Sequence, residues 1–153
     1  MFKTKKHRLQ KEYYEAQTIA FTLCFEIGKT GLSKKIFKPL NEILINELKN
    51  NGCLLHIWLL MPDHCHMVIE AGQNTKNILH TIDKFKQYSG YWFYKNKLKI
   101  KWKKSYYDHI LRSEKDVENQ IYYVLNNPVR KGLVESWKEY PYKYSMIYDL
   151  NEL

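Results

Sequence analysis

The chain has 153 residues and a formal charge of +9, from 25 Lys plus Arg against 16 Asp plus Glu; that length favours one domain, residues 1–153, burying roughly two-thirds of the surface its unfolded form exposes. No window reaches the roughly 18 continuous apolar residues a membrane span needs, and the start MFKTKKHRLQKEYYE lacks the apolar stretch of a secretory signal, so the expectation is a soluble, cytoplasmic protein. Cys24, Cys53 and Cys65 are odd in number and lack C-x-x-C spacing, which argues against a disulfide framework, a zinc knuckle and a redox pair.

Residues 1–15 form a basic N-terminal arm, in which Lys3, Lys5, Lys6, Arg8 and Lys11 precede the first acid, Glu12. AQTIAFTLCFE (16–26) alternates Ile19, Phe21, Leu23 and Phe25 with Thr18, Ala20, Thr22 and Cys24, a strand with one face in the core. Gly28 and Gly31 break it. Ser33 to Asn50 repeats apolar residues at Ile36, Leu40, Ile43 or Leu44, and Leu48, which is helical spacing, with Pro39 at a kink or in the first turn. NNG (50–52) ends that helix.

CLLHIWLLM (53–61) reads as a second strand, PD as a tight turn, and HCHMVIE (64–70) as a third strand antiparallel to it. After the loop AGQNT, with Thr75 as N-cap, Ile78, Ile82, Phe85, Ser89 and Trp92 line a helical face to about Lys95. Residues 97–104 read as an exposed loop and SYYDHIL (105–111) as a fourth strand. Ser113 with Asp116 has capping-box spacing and opens a helix through EKDVENQIYYVLNN, which Pro128 stops. Residues 128–153 are a tail of short turns whose aromatics pin it to the body. This order matches an α+β, ferredoxin-like split β-α-β sandwich: an antiparallel four-stranded sheet, the first two helices on one face, and an added C-terminal helix.

Lys84 to Tyr107 holds eight lysines, nine aromatics and no acid. It offers cations to phosphates and flat faces to unpaired bases, the combination single-stranded nucleic acid rewards. Lys84, Lys86, Tyr88, Tyr91, Lys95, Lys97, Lys99, Lys101, Trp102, Lys103 and Lys104, with Lys5, Lys6 and Arg8 of the arm, are the candidate contacts. A solvated basic face explains a lysine run by itself; the interleaved aromatics favour a nucleic-acid partner.

His64 and His66 stand two apart on a strand and so share a face, while Cys65, Met67 and Ile69 point into the helix-covered core. Two imidazoles there can each lend a nitrogen to one divalent ion. H-x-H is also a common pattern of ordinary hydrogen-bonded histidines. Tyr123 and Asn127, four apart, share a helical face, so a hydroxyl nucleophile and an amide oxygen can reach that sheet together; the plainer alternative makes Tyr123 a half-buried anchor and Asn127 a helix cap.

Taken together these residues resemble the single-tyrosine HUH transposases, and within them the REP-associated tyrosine transposases. LLMPDHCHMVI is similar to that family's MPNHVH strand, YYVLNNPVRKGLV to its YIxxNPVRAGLV block, and WKKSYYDHIL and YPYKYS to weaker blocks, over about residues 54–145. The resemblance implies that His64 and His66 bind Mg²⁺ or Mn²⁺ with the Asn127 amide, and that Tyr123, on a catalytic helix, is the nucleophile. It implies cleavage of single-stranded DNA near a hairpin, a covalent 5′-phosphotyrosine and a released 3′ hydroxyl, by a monomer or a homodimer. Asp63 in place of Asn, Cys65 in place of an aliphatic and Lys131 in place of a small residue depart from the pattern without removing a catalytic group.

Tyr122 is the rival nucleophile, turned about a quarter of the way round the helix from Tyr123. His56, His80 and His109 have no matching partner, and hydrogen bonding or surface placement suits them better than ligation. Tyr106 and Tyr107 read as packing or stacking groups of the sheet. A non-catalytic module binding RNA or single-stranded DNA accounts for the basic segment equally well, but gives no reason for His64, His66, Tyr123 and Asn127 to coincide. A two-histidine phosphoesterase wants paired H-x-T or H-x-S motifs, which this chain lacks.

Overall fold

A computed structural model of the chain describes residues 3–4, 17–26, 31–72 and 78–152. Lys5, Lys6 and Arg8 of the basic arm, Gly28 and the expected N-cap Thr75 lie outside the described residues.

The strand alternation of residues 16–26 becomes β2 (Thr18–Cys24). The helical period after it becomes α1 (Ser33–Asn50), with Ile36, Leu40, Leu44 and Leu48 buried and Pro39 inside the helix. Asn51 caps α1, and Gly52 makes the turn at φ 68°, a left-handed conformation that glycine adopts without strain. β3 (Cys53–Leu60) and β4 (His64–Ala71) form the expected hairpin, closed where the Met61 amide donates to the His64 carbonyl at 2.8 Å. α2 (Ile78–Lys95) follows, then β5 (Tyr107–Leu111), α3 (Glu114–Leu125), the short α4 (Asn127–Arg130) and a 3-10 turn at Trp137–Glu139.

β5, β2, β4 and β3 lie side by side in that order, every neighbouring pair antiparallel, with α1 and α2 on one face: the α+β, ferredoxin-like sandwich. Two short edge strands extend the expected four to six: β1 (Lys3–Thr4) beside β5, and β6 (Lys143–Tyr144) beside β3.

Each sheet face carries its own core. Ile19, Phe21 and Leu23 of β2, Phe25 just past its end, and Cys65, Met67 and Ile69 of β4 pack with α1 and α2. On the other face Ala20, Ile57, Leu59, Met61, Val68 and Leu111 receive Ile121, Val124 and Leu125 of α3 and Tyr140 of the tail. The β3–β4 register shifts between Leu55 and Ile57, the place of a bulge. The shift changes which residues face each layer, so Leu55 and Trp58 enter the first core and Ile57 and Leu59 the second.

Four sequence expectations need correction. Phe93 fills the deepest place on the last turn of α2, and Trp92 packs half-buried beside it, because residue 93 completes the repeat from Phe85 and Ser89. The fourth strand begins at Tyr107 rather than residue 105. The 97–104 segment is not wholly exposed, since Ile100 and Trp102 reach the first core and Trp102 bridges Phe25 in strand fashion. Finally, α3 ends at Leu125 with Asn126 as its cap, and Pro128 sits in the first turn of α4, where its missing N–H costs nothing.

Candidate functional site

β4 aims His64 and His66 away from the α1–α2 layer, as alternation requires, and the surroundings orient both rings. Thr22 sits directly across from His66 on β2, and its Oγ1 lies 3.0 Å from His66 Nδ1. Asp63, in the turn before β4, places Oδ1 2.6 Å from His64 Nδ1. With both Nδ1 atoms occupied, the two Nε2 atoms face each other at 3.2 Å. A carboxylate accepting from Nδ1–H fixes the tautomer whose Nε2 carries a lone pair, the arrangement usual behind metal-ligating histidines.

Burial first, then the charges of His64 and Arg130, push His66 down to about 3, so it is neutral at physiological pH. Burial would raise the Asp63 carboxyl, but the His64 hydrogen bond and charge, with Lys131 behind them, hold it below the usual carboxylate range.

α3 brings the phenol. Ser113 caps its start by accepting from the Asp116 amide at 3.1 Å, and the Ile121, Val124 and Leu125 stripe seats it on the sheet. That seating turns Tyr123, 48% exposed, toward His66, with ring centres 6.4 Å apart. Tyr122 faces a different region, a cavity of about 710 Å³ lined also by His56, Glu70, Arg112 and Tyr148. There His56 joins Tyr148 Oη at 2.8 Å and Glu70 Oε1 at 2.9 Å, which is the hydrogen-bonding role expected of it.

Asn127 is buried, with Nδ2 3.2 Å from His64 Nε2. Asn126, not Asn127, caps the helix, so Asn127 stays available to the histidine pair. A half-turn of the amide presents oxygen in place of nitrogen, and the two atoms are distinguished only through their partners. Among the described residues no group of three or more His, Cys, Asp or Glu is placed to hold a metal ion by itself. Two converging imidazole nitrogens and an amide fit a divalent ion that accepts nitrogen and oxygen donors and keeps positions open for substrate oxygens.

One cation beside the phenol escaped the sequence reading. Arg130 lays its guanidinium 4.1 Å from the Tyr123 ring centre and donates from Nη2 to the Tyr123 carbonyl at 2.8 Å. Lys131 lies near enough to act on Asp63. The available signal was spacing, because Arg130 follows Tyr123 by seven residues, two helical turns.

The basic aromatic segment divides in two. On α2, Tyr88 and Tyr91 are exposed, with the Lys84 ammonium 5.8 Å from the Tyr88 ring and that of Lys95 5.9 Å from the Tyr91 ring. Tyr94, outside the candidate set, is the most exposed aromatic there at 81%. This helix lies on the opposite sheet face from His64 and His66. Lys97 and Lys99 are exposed between the two parts.

The 101–104 stretch instead runs past the histidine turn. The Lys103 amide donates to the Cys24 carbonyl at 2.9 Å, and the Phe25 amide donates to that of Asp63 at 3.0 Å. Lys101, Lys103 and Lys104 are exposed there. Trp102 is not a surface stacking group: its ring stacks on Phe25 with centres 4.4 Å apart, and its indole N–H donates to Ser89 Oγ at 2.8 Å. Lys86 is drawn inward as well, donating to the Lys103 and Lys104 carbonyls at 2.7 and 2.9 Å and so strapping α2 to this stretch.

Comparison with known proteins points the same way. The profile of the family described as transposase, IS200-like, matches residues 7–127. A Haemophilus influenzae protein assigned to the REP-associated tyrosine transposases is 31% identical over 94 residues, 54% of this chain and 53% of that protein. The chain thus spans about half the length of that relative. The REP-associated tyrosine transposase of Escherichia coli is 19% identical over 133 residues, 87% of this chain and 79% of its own. Among solved structures, a REP-associated tyrosine transposase bound to a REP hairpin superposes with a TM-score of 0.77 at 19% identity, over 90% of this chain and 82% of that one. A transposase-like protein from Deinococcus radiodurans gives 0.52 at 20% identity, over 80% and 96%. At such identities the two structural matches speak for the fold.

Proposed function

This chain belongs to the IS200-like transposase family, and from that premise we propose that it nicks and rejoins single-stranded DNA beside a hairpin, with Tyr123 as nucleophile. The carrying observation is the convergence of four groups from distant parts of the sequence. The paired His64 and His66 Nε2 atoms stand 3.2 Å apart, the Asn127 amide is 3.2 Å from His64, and the Tyr123 ring is 6.4 Å from that of His66. All four come from one chain, which supports a tyrosine acting on its own subunit's site, and Tyr122 faces elsewhere.

In the proposed reaction the phenolic oxygen of Tyr123 bonds to phosphorus, the bond from phosphorus to the 3′ oxygen breaks, and the phenolic proton ends on that oxygen. A 5′-phosphotyrosine and a 3′ hydroxyl result. One ester replaces another, so the reverse attack by a hydroxyl rejoins strands without a nucleotide cofactor. His64, His66 and Asn127 would hold Mg²⁺ or Mn²⁺, which when bound polarises the phosphate and stabilises charge growing on its oxygens. Asp63, as an acceptor, keeps His64 in the ligating tautomer, and Thr22 holds the orientation of the His66 ring. The exposed Lys101, Lys103 and Lys104 suit the strand's other phosphates.

The test is a covalent adduct. Incubated with Mn²⁺ and a labelled hairpin oligonucleotide carrying unpaired flanks, the protein acquires a DNA mass on Tyr123, mapped by peptide mass spectrometry. Tyr123→Phe forms none and still binds the oligonucleotide. An adduct on Tyr122, or cleavage that survives in Tyr123→Phe, moves the nucleophile elsewhere; binding with neither adduct nor cleavage favours the non-catalytic module.

A further inference from the structure

Arg130 touches the nucleophile in two ways. One is the hydrogen bond to the Tyr123 carbonyl, which a residue closing a helix end ordinarily makes. The other is the guanidinium stacked on the phenol ring at 4.1 Å, which capping does not require. A guanidinium carries five N–H donors in a fixed fork, and the Tyr123 carbonyl is met by Nη2, one of its three nitrogens. The side chain is exposed, so a polyanion can approach it. Asp63, the acid beside the histidine pair, is itself engaged by His64.

Building on the functional reading above, we propose that Arg130 is a phosphate-binding residue of this site: it holds the Tyr123 ring by stacking and applies its remaining N–H donors to the non-bridging oxygens of the phosphodiester that Tyr123 attacks. While the phenolic oxygen is bonding to phosphorus and the 3′ oxygen is leaving, negative charge on those oxygens exceeds that of the starting diester. A guanidinium already fixed in place meets that charge without rearranging. Once the phosphotyrosine has formed, the same fork stays on its phosphate and keeps it in line for the rejoining hydroxyl. A flexible ammonium supplies charge but neither the stack nor the fork.

Wild type, Arg130→Lys and Arg130→Gln are compared in three measurements: adduct rate at saturating hairpin oligonucleotide with Mn²⁺, salt dependence of oligonucleotide binding in a Tyr123→Phe background, and thermal melting. Arg130→Gln lowers the adduct rate by about 10²–10³-fold and reduces the slope of log affinity against log salt by about 0.7; Arg130→Lys recovers part of the rate. A folded Arg130→Gln protein within about threefold of the wild-type rate, or a Lys variant no faster than Gln, overturns the proposal.

Should the Gln variant melt early, ¹⁵N-labelled wild type titrated with inorganic phosphate decides. The Arg130 Nε–H signal, recognised by its loss in Arg130→Lys, moves if Arg130 binds phosphate and stays if it only caps the helix. If wild type forms no adduct on a pool of hairpins with randomised flanks, the functional reading falls, and the phosphate titration still judges Arg130.

Discussion

Thr22→Val keeps the side chain's shape and removes the hydroxyl that meets His66 Nδ1 at 3.0 Å. His66 is 6% exposed, so water cannot readily replace that partner. Leaving a buried polar atom unpaired costs roughly 1–3 kcal/mol. The added methyl offsets less than about 1 kcal/mol through apolar burial. The net loss is about 1–2 kcal/mol, a fall of a few degrees in Tm for a chain of this size. The larger effect concerns the metal: with Nδ1 no longer held, the ring loses its fixed orientation and Mn²⁺ affinity falls by about 10–100-fold. Thr22→Ser retains the hydroxyl and stays near wild type. Calorimetric titration of the metal-free protein with Mn²⁺ measures all three. Equal affinity in wild type and Thr22→Val, or an equal loss in Thr22→Ser, refutes the claim that this hydrogen bond orients the ligand.

Acid should loosen the metal-free fold through the same histidine. An unfolded imidazole titrates near 6.5, whereas burial and the neighbouring His64 and Arg130 charges hold His66 at about 3 in the fold. The folded value is the lower one, so the stabilisation is complete above about pH 6.5 and drains away between there and pH 3, at up to about 1.4 kcal/mol per unit. Urea midpoints at pH 7.5 and pH 5 read the slope; it flattens in His66→Gln, and a flat wild-type profile contradicts the burial argument. Trp102→Ala removes a ring stacked in the first core and costs about 3–5 kcal/mol. Trp102→Phe keeps DNA affinity within about twofold, measured by anisotropy below its melting point, because the indole faces Phe25 and Ser89 rather than solvent; a tenfold loss in a folded Trp102→Phe protein restores Trp102 to the DNA surface.

Where local signals and tertiary packing agree, the sequence was legible. The apolar repeat from Ile36 to Leu48 and the NNG stop bound α1 at Ser33 and Asn50, and Ser113 opens α3. The two-residue strands β1 and β6 carry no such signal, because their conformation comes from lying against β5 and β3. Trp102 was misplaced although its signal existed: Leu98, Ile100 and Trp102 alternate with Lys97, Lys99, Lys101 and Lys103, the period of a chain with one face buried. Lysine density hid the alternation. In the site, the spacing of His64 and His66 on their strand makes their shared face legible. Thr22 does not, because only the register of β2 against β4 puts it opposite His66. Arg130 lies beyond a proline that the sequence presents as an end, yet Pro128 starts a new turn and carries the chain back over Tyr123.

The two-layer arrangement also constrains how the basic segment would serve the proposed site. Tyr88 and Tyr91 ride on a helix whose buried side, through Ile82, Phe85 and Phe93, belongs to the first core, while the phenol and imidazoles lie across the sheet with the second. A strand whose phosphate rests between His64 and Tyr123 would have to pass around the sheet to reach α2, and the end where Cys24, Asp63 and the 101–104 stretch meet lies beside the histidine turn. Lys86 fixes that stretch to α2 through the Lys103 and Lys104 carbonyls, so the exposed ammoniums of Lys101, Lys103 and Lys104 stand on a braced segment at the passage between the layers. The bury-and-brace role of Trp102 and Lys86 is then what makes their neighbours useful: two side chains withdrawn from solvent hold in place the ones that remain in it.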